Sequence, residues 1–389
     1  MATYDLHAAL SKLDAKTRNH LDAHGFSADR LERLSRTLTA SGDADARRDA
    51  RNRVASVRPP GPSEIRDADL SDGNALATGR AALRAGKLAF CVMAGGMATR
   101  MGGVVKALVE CAQIDGEAVS FLDVRLRENA LACKRAGRAV PLWLMTSDAT
   151  DEPIRAALKK REAGAHVRTF VQDLSLRLTE QGELFFDAQG HTSTYAPGHG
   201  DLPDALKRSG LLGDHIRAGG EYVWITNVDN LGATLDDTLL GAFVASGKEL
   251  MVEVTDKLGA DRGGIPVHAN THAKDHEGER LQVLEEFRLP KDFDASQVRV
   301  FNTNTFLVRA DALDTTHIEW SFFEVQKKVD GKPAVQFERL LQELTAALET
   351  TYVRVPRTGH ASRFLPVKDP EELARRKPEI DDVIRARLC

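Results

Sequence analysis

The apolar run Leu88–Met93, followed by Ala94-Gly-Gly-Met-Ala-Thr-Arg-Met-Gly-Gly-Val-Val-Lys106, restricts this chain more than any other stretch. It reads as a strand entering a glycine-rich turn. Glycines let a backbone take left-handed angles and bring its N–H groups close to a ligand. A nest of such donors beside two cations, Arg100 and Lys106, suits a polyphosphate. The spacing is neither the dinucleotide fingerprint nor the Walker loop.

Around this turn the grammar is that of an α/β protein. Strands are expected at Leu88–Met93, Val140–Met145, Val167–Phe170, Tyr222–Thr226, Leu281–Phe287 and Val298–Val308. Helices are expected at Phe121–Ala136, Glu152–Glu162, Asp201–Ser209, Leu235–Ser246 and Phe337–Leu348. Strands alternating with helices predict a mostly parallel, doubly wound sheet. Residues 1–85 read as a helical N-terminal region. Within it Ser27 caps Ala28–Leu38, and the linker Arg58-Pro-Pro-Gly-Pro-Ser63 precedes a helix Asn74–Ala85 stopped by Gly86.

Charge and cysteine usage exclude several roles. A net charge of −4 gives no basic footprint for nucleic acid. Anionic ligands must therefore be held by a few local cations. The four cysteines have no paired spacing, which reads as a reduced, cytoplasmic chain. The N-terminus lacks the apolar core of a signal peptide, and no run reaches the roughly 18 apolar residues of a membrane span.

Further constellations carry chemistry. Tyr195-Ala-Pro-Gly-His-Gly-Asp201 is a loop whose backbone can lie flat against a planar ligand, with Asp201 placed to cap the next helix. The strand Tyr222–Thr226 ends in Asn227-Val-Asp-Asn230, so Asn227 and Asp229 point to one side, at the carboxyl end where open parallel sheets bind ligands. A carboxylate facing phosphates there is a natural Mg²⁺ ligand. Glu285 is expected inside an apolar strand, where an unpaired charge is expensive, so a hydroxyl-rich ligand is its sensible partner. Asn302 and Asn304 share a strand face and offer donors and acceptors. His268, His272 and His276 recur every four residues, but a solvated hairpin connection explains them better than a metal site.

In order along the chain, these motifs resemble the UTP–sugar-1-phosphate uridylyltransferases, the UDP-sugar pyrophosphorylase family. The likeness runs from Gly79 to Lys368. It takes in the Gly95 loop, Met145-Thr-Ser147, Phe170-Val-Gln172, Pro197–Asp201, Asn227–Gly232, Glu253–Asp256, Phe301–Asn304 and Arg363–Lys368. The resemblance implies a Rossmann-like nucleotidyltransferase core over 86–330, with 331–389 completing the active site. It implies UTP and a sugar 1-phosphate as substrates, a UDP-sugar and pyrophosphate as products, and Mg²⁺ as cofactor. Gly95, Gly96, Gln172 and Gly198 would bind UTP. Arg100, Lys106 and Lys368 would act on its phosphates, and Asp229 would hold the metal. His199, Asn227, Gly264, Glu285, Asn302 and Asn304 would bind the sugar phosphate.

Histidine in the Pro197–Asp201 loop resembles the glucose 1-phosphate branch. The Gly95 loop is closer to the N-acetylhexosamine branch, and glucose 1-phosphate is favoured. Two departures stand out. Ala98 replaces a glycine, which predicts strain if positive φ is needed there, and Val105 replaces the proline before Lys106. They motivate the rival reading of a non-catalytic nucleotide-sugar-binding homologue. No β-helix follows Lys368, which favours a monomer.

Overall fold

The computed structural model describes residues 4–39, 43–98, 102–259, 261–270 and 278–388. Among them eight strands form the central sheet: β1 Ile65–Asp67, β2 Leu88–Met93, β3 Leu142–Thr146, β4 Val167–Val171, β5 Tyr222–Asn227, β6 Leu250–Asp256, β7 Val300–Arg309 and β8 Thr350–Arg354. Their spatial order is β1-β8-β6-β7-β5-β2-β3-β4. Strand β7 runs against both of its neighbours, β5 and β6, and every other pair is parallel. The sheet is mixed and mostly parallel, as the alternation predicts.

Strand β2 shows why its sequence is uninterruptedly apolar. Leu88, Phe90 and Val92 enter a core shared with Phe121, Leu122, Leu240 and Phe243. Ala89, Cys91 and Met93 enter the opposite core with Leu202, Leu206, Ile225 and Phe306. Both faces are covered, so neither face of the strand carries a polar residue. Its register with β5 sets Met93 beside Asn227, and its register with β3 sets Met93 beside Met145. The loops leaving β2, β3, β4 and β5 therefore emerge at one edge.

The N-terminal helices Leu6–Ser11, Ala15–Ala23, Ala28–Leu38 and Ala44–Asn52 begin at Asp5, Asp14, Ser27 and Asp43, each accepting a backbone N–H of its helix. Leu6, Leu21, Leu31 and Leu34 pack on Leu174, Leu176, Val335 and Phe337. This bundle braces the segments that follow β4. No helix among the described residues is long and apolar enough to cross a membrane.

Several local expectations need correction. Phe337–Leu348 is not one helix. Lys332–Glu338 pairs with Phe323–Val329 as a hairpin, and only Leu344–Ala347 is α-helical, after the 3₁₀ turn Leu341–Glu343. The helical spacing of its apolar residues misleads because Phe337 serves the N-terminal cluster while Leu341, Leu344 and Leu348 serve a different core. The proline-rich linker is tied down at its start, where Val57 and Arg58 pair with Ala269 and His268. The strand expected through Phe287 ends at Leu284, leaving Glu285 just beyond it.

Helices Gly73–Arg84 and Asp237–Ser246 cross at two glycines. A Cβ on Gly79 would lie 1.7 Å from the Asp237 carbonyl oxygen, and one on Gly241 would lie 1.7 Å from that of Ala75. Backbone sits directly on backbone, so no side chain can rotate away. Gly241→Ala should lower stability by at least about 1–3 kcal/mol, read as a lower denaturant midpoint at unchanged slope.

Candidate active site

The glycine loop folds back on itself. Ala94 donates its N–H to the Met145 carbonyl at 2.8 Å, and the Ser147 hydroxyl donates to the Gly95 carbonyl at 2.9 Å. A Cβ on Gly95 would lie 3.1 Å from Gln172 Oε1 and 3.2 Å from Ser147 N. Gly95 thus lets Gln172 lie close over the loop. Met97–Ala98 then pairs with Val104–Val105, and Gly102 and Gly103 (φ 85° and 74°) turn the chain back. Ala98 is extended, so the strain expected there does not arise. Val105 holds φ −65°, the angle a proline ring would fix, so its substitution leaves the backbone path intact. Arg100 lies outside the described residues.

At the end of this loop the Lys106 ammonium forms an ion pair with the Asp229 carboxylate, each side chain 17% exposed. Asp229 belongs to the turn after β5, which is held from beneath by buried charge. Arg125 donates to the carbonyls of Asn227 (3.0 Å), Asn230 (2.6 Å) and Ala233 (3.2 Å) while pairing with Glu128 at 2.7 Å. The C-terminal segment closes the other side. Asn230 donates to the Arg363 carbonyl at 3.2 Å and accepts the Leu365 N–H at 2.8 Å. A Cβ on Gly232 would lie 2.6 Å from the Arg363 carbonyl carbon. Arg363 forms a two-pronged ion pair with Glu253 of β6, at 2.7 and 2.8 Å, with both residues buried. Lys368, three residues beyond Leu365, is exposed. Its N–H donates to Glu372, and its ammonium has no ion pair among the described residues.

Amides line the opposite wall. The pairing of β6 with β7 slips between Glu253 and Val254, whose partners are Thr305 and Asn302. Thr303 and Asn304 form the resulting bulge. Asn304 takes the left-handed φ of 58°, its N–H donates to Asn302 Oδ1 at 2.9 Å, and its side-chain amide donates to Asn227 Oδ1 at 3.0 Å. Asn304 Oδ1 is buried without a protein partner, an acceptor left for a ligand. Glu285 accepts from the Gln342 amide at 2.6 Å, and burial pushes its carboxyl up while that bond opposes the shift. Gly264 lies against both, since a Cβ there would sit 3.2 Å from Glu285 Oε1 and 3.6 Å from Gln342 Nε2.

The Pro197–Asp201 loop joins this wall through backbone. A Cβ on Gly198 (φ 91°) would lie 2.6 Å from the Arg339 carbonyl oxygen, and one on Gly200 would lie 2.5 Å from Leu340 N. Leu341 donates its N–H to His199 Nδ1 at 2.9 Å, so the neutral ring carries its proton on Nε2. Burial lowers the His199 pKa to about 4. Asp201 does not cap the following helix as expected; its carboxylate accepts the Asp173 N–H at 2.6 Å. His268 is bonded to Glu64 at 2.8 Å, while His272 and His276 lie outside the described residues.

The structure thus joins Gly95 with Gln172, Lys106 with Asp229, Asn227 with Asn302 and Asn304, and Gly264 with Glu285. Gly96 is exposed, and its carbonyl takes the Lys106 N–H at 3.2 Å. Gln342, Arg125, Glu253 and Arg363 were not anticipated as participants. Arg125 and Glu128 at the positions of the helix Phe121–Ala136 that its apolar residues bury were the available signal for Arg125.

The profile of the UTP–glucose-1-phosphate uridylyltransferase family matches residues 45–379. The chain belongs to that family. It is 30% identical over 303 residues to the UTP–glucose-1-phosphate uridylyltransferase of Hordeum vulgare, covering 74% of this chain and 61% of that protein. It is 32% identical over 334 residues to uridylyltransferase 2 of Dictyostelium discoideum, covering 81% and 62%. The chain spans about three-fifths of the length of these curated relatives. Among solved structures, a UDP-glucose pyrophosphorylase from Leishmania major in complex with UDP-glucose has a TM-score of 0.71 at 21% identity, covering 94% of this chain and 80% of that one. A UDP-N-acetylglucosamine pyrophosphorylase from Trypanosoma brucei has 0.68 at 20%, covering 96% and 84%. At those identities the likeness is one of fold.

The family loop histidine has a testable signature. His199 should stay the neutral Nε2–H tautomer from pH 8 to about pH 5 and protonate only near pH 4, followed by its ring ¹⁵N shifts. The unfolded ring takes its proton first, near pH 6.5. This site's contribution to stability therefore falls as pH drops from about 6.5 towards 4.

Proposed function

We propose that this protein makes UDP-glucose and pyrophosphate from UTP and glucose 1-phosphate. The observation that carries the reading is the Lys106–Asp229 pair, joining the end of the glycine loop to the turn after β5. Gln172 and Gly95 stand together on the nucleotide side, and Asn227, Asn304 and Asn302 stand together beside the Asp229 turn. Uracil presents an N–H between two carbonyls, which the Gln172 amide and the backbone at Gly198 can match. Gly96 lies by the phosphates. His199 Nε2–H and Asn227 would bind the sugar phosphate; Asn304, Asn302 and Glu285 would take hydroxyls, with Gly264 leaving them room.

An oxygen of the sugar phosphate attacks the α-phosphorus of UTP. The new P–O bond forms as the bond to the bridging oxygen of the β-phosphate breaks, and pyrophosphate leaves. The nucleophile is already anionic, so no general base is needed. The protein supplies alignment of two mutually repelling anions and neutralisation of the charge in transfer. Lys106, Arg100 and Lys368 are the cations suited to that work. Phosphate oxygens compete with Asp229 for the Lys106 ammonium, which frees the carboxylate. Asp229 fits Mg²⁺, which takes one or two carboxylates plus substrate phosphates, and the ion would supply further charge neutralisation. Glucose is supported by His199 in the loop and by the names of the matched relatives. Ala98 is extended and Val105 keeps a proline-like φ of −65°, so neither position shows the backbone strain that motivated the non-catalytic alternative. The buried thiols of Cys91 and Cys111, pushed well up by burial, suit a reduced, cytoplasmic setting.

Pyrophosphate release should be assayed with UTP, Mg²⁺ and a panel of hexose 1-phosphates. Glucose 1-phosphate is expected to give the highest kcat/KM, and turnover only with N-acetylglucosamine 1-phosphate would reassign the sugar. Chelating the metal should stop turnover. Asp229→Asn should lower kcat by about 10²–10³-fold with the fold intact, and undiminished kcat would remove Asp229 from the metal role.

A further inference from the structure

A second cluster lies outside the machinery described above, where the N-terminal helices meet the nucleotide side. His20 and His24 sit one turn apart on the helix Ala15–Ala23 and its C-terminal cap, so both rings project from one face. Their ring centroids are 4.5 Å apart. His24 Nδ1–H donates to the His20 carbonyl at 2.7 Å, which leaves the lone pair of the neutral ring on Nε2. Bonds of this kind orient metal-ligating histidines in general. Asp148, from the loop after β3, brings its carboxylate to 3.1 Å from His20 Nε2. One ligand atom from each of the three lies within 4.8 Å of the other two.

We propose that His20, His24 and Asp148 bind a divalent transition ion of the Zn²⁺ type. Two imidazoles and one carboxylate select such an ion over Mg²⁺ or Ca²⁺, which prefer oxygen donors. Tetrahedral Zn²⁺ with bonds of about 2.0–2.1 Å holds its donors about 3.4 Å apart, so small side-chain rotations close the set. His20 and Asp148 are 41% and 48% exposed, giving the ion an entry path and a water the fourth position. A plain surface ion pair would explain His20 and Asp148 but not His24. That ring has a nitrogen within 4.8 Å of the ligand atoms of both partners.

The position gives the ion a consequence. The His24 carbonyl accepts the Leu174 N–H at 2.9 Å, two residues past Gln172. Asp148 follows Ser147, whose hydroxyl holds the Gly95 carbonyl. A bound ion would clip the N-terminal helices to the loop that flanks the glycine turn. This proposal stands independently of the sugar assigned above.

The test uses the untagged full chain in metal-free buffer, titrated with Zn²⁺ alone by calorimetry and with Co²⁺ by visible absorption. The expected result is a site with the intense bands of four-coordinate Co²⁺ and a Zn²⁺-dependent rise in Tm. Asp148→Asn and His24→Ala should each weaken that binding at least tenfold and abolish the rise. Asp148 is exposed, so its variant decides the matter even if His24→Ala unfolds the protein. Zn²⁺ affinity unchanged by Asp148→Asn, or Co²⁺ showing only the pale spectrum of its hexa-aqua form, would overturn the proposal.

Discussion

The ion pair between Arg363 and Glu253 is what the rest of the active site leans on. Both groups are shut away from water, and each would be costly alone. Glu253 is in the middle of the central sheet, and Arg363 belongs to the segment that crosses the turn bearing Asp229. Their two-pronged contact fixes direction as well as distance. Arg363 also donates to the Thr234 carbonyl at 2.9 Å, so one guanidinium ties a strand, a turn and the C-terminal segment together. Arg125 does the matching work from the helix beneath, spending its donors on carbonyls of the same turn. Among the described residues the Lys106–Asp229 pair, each side chain 17% exposed, sits on this fixed network.

Electrostatics divides the site into two halves with different rules. On the side proposed for phosphates, the charges described are the largely buried Lys106–Asp229 pair and the exposed Lys368. On the side proposed for the sugar, the polar groups are amides, a neutral histidine and a carboxyl held by Gln342. Under the proposed function, neutral donors and acceptors there would discriminate hydroxyl geometry without adding to the repulsion between two phosphorylated substrates. The overall charge of the chain, −4, makes this division useful, since no general positive field draws in anions.

Sequence patterns revealed most of the frame and less of its fastenings. β2, β5 and the helix Phe121–Ala136 could be read because continuous apolar runs and helical periodicity report burial directly. β6 was obscured by Glu253, whose charge makes sense only beside Arg363, 110 residues later. The left-handed Asn304 depends on a bulge that local pattern does not encode. Asp201 looked like a helix cap because spacing shows where a carboxylate is, not which N–H it meets. Gly198, Gly200 and Gly232 were legible as glycines, but the strands of backbone they admit became visible only in three dimensions.

The placement of β8 shapes how such a molecule can be made. It lies between β1 and β6, and its Tyr352 pairs with Ile65 of β1 across 287 positions of sequence. On a ribosome, β1 emerges long before β8, its sheet neighbour among the described residues. The central strands can pair earlier, whereas that edge must wait for β8, a pairing of high contact order.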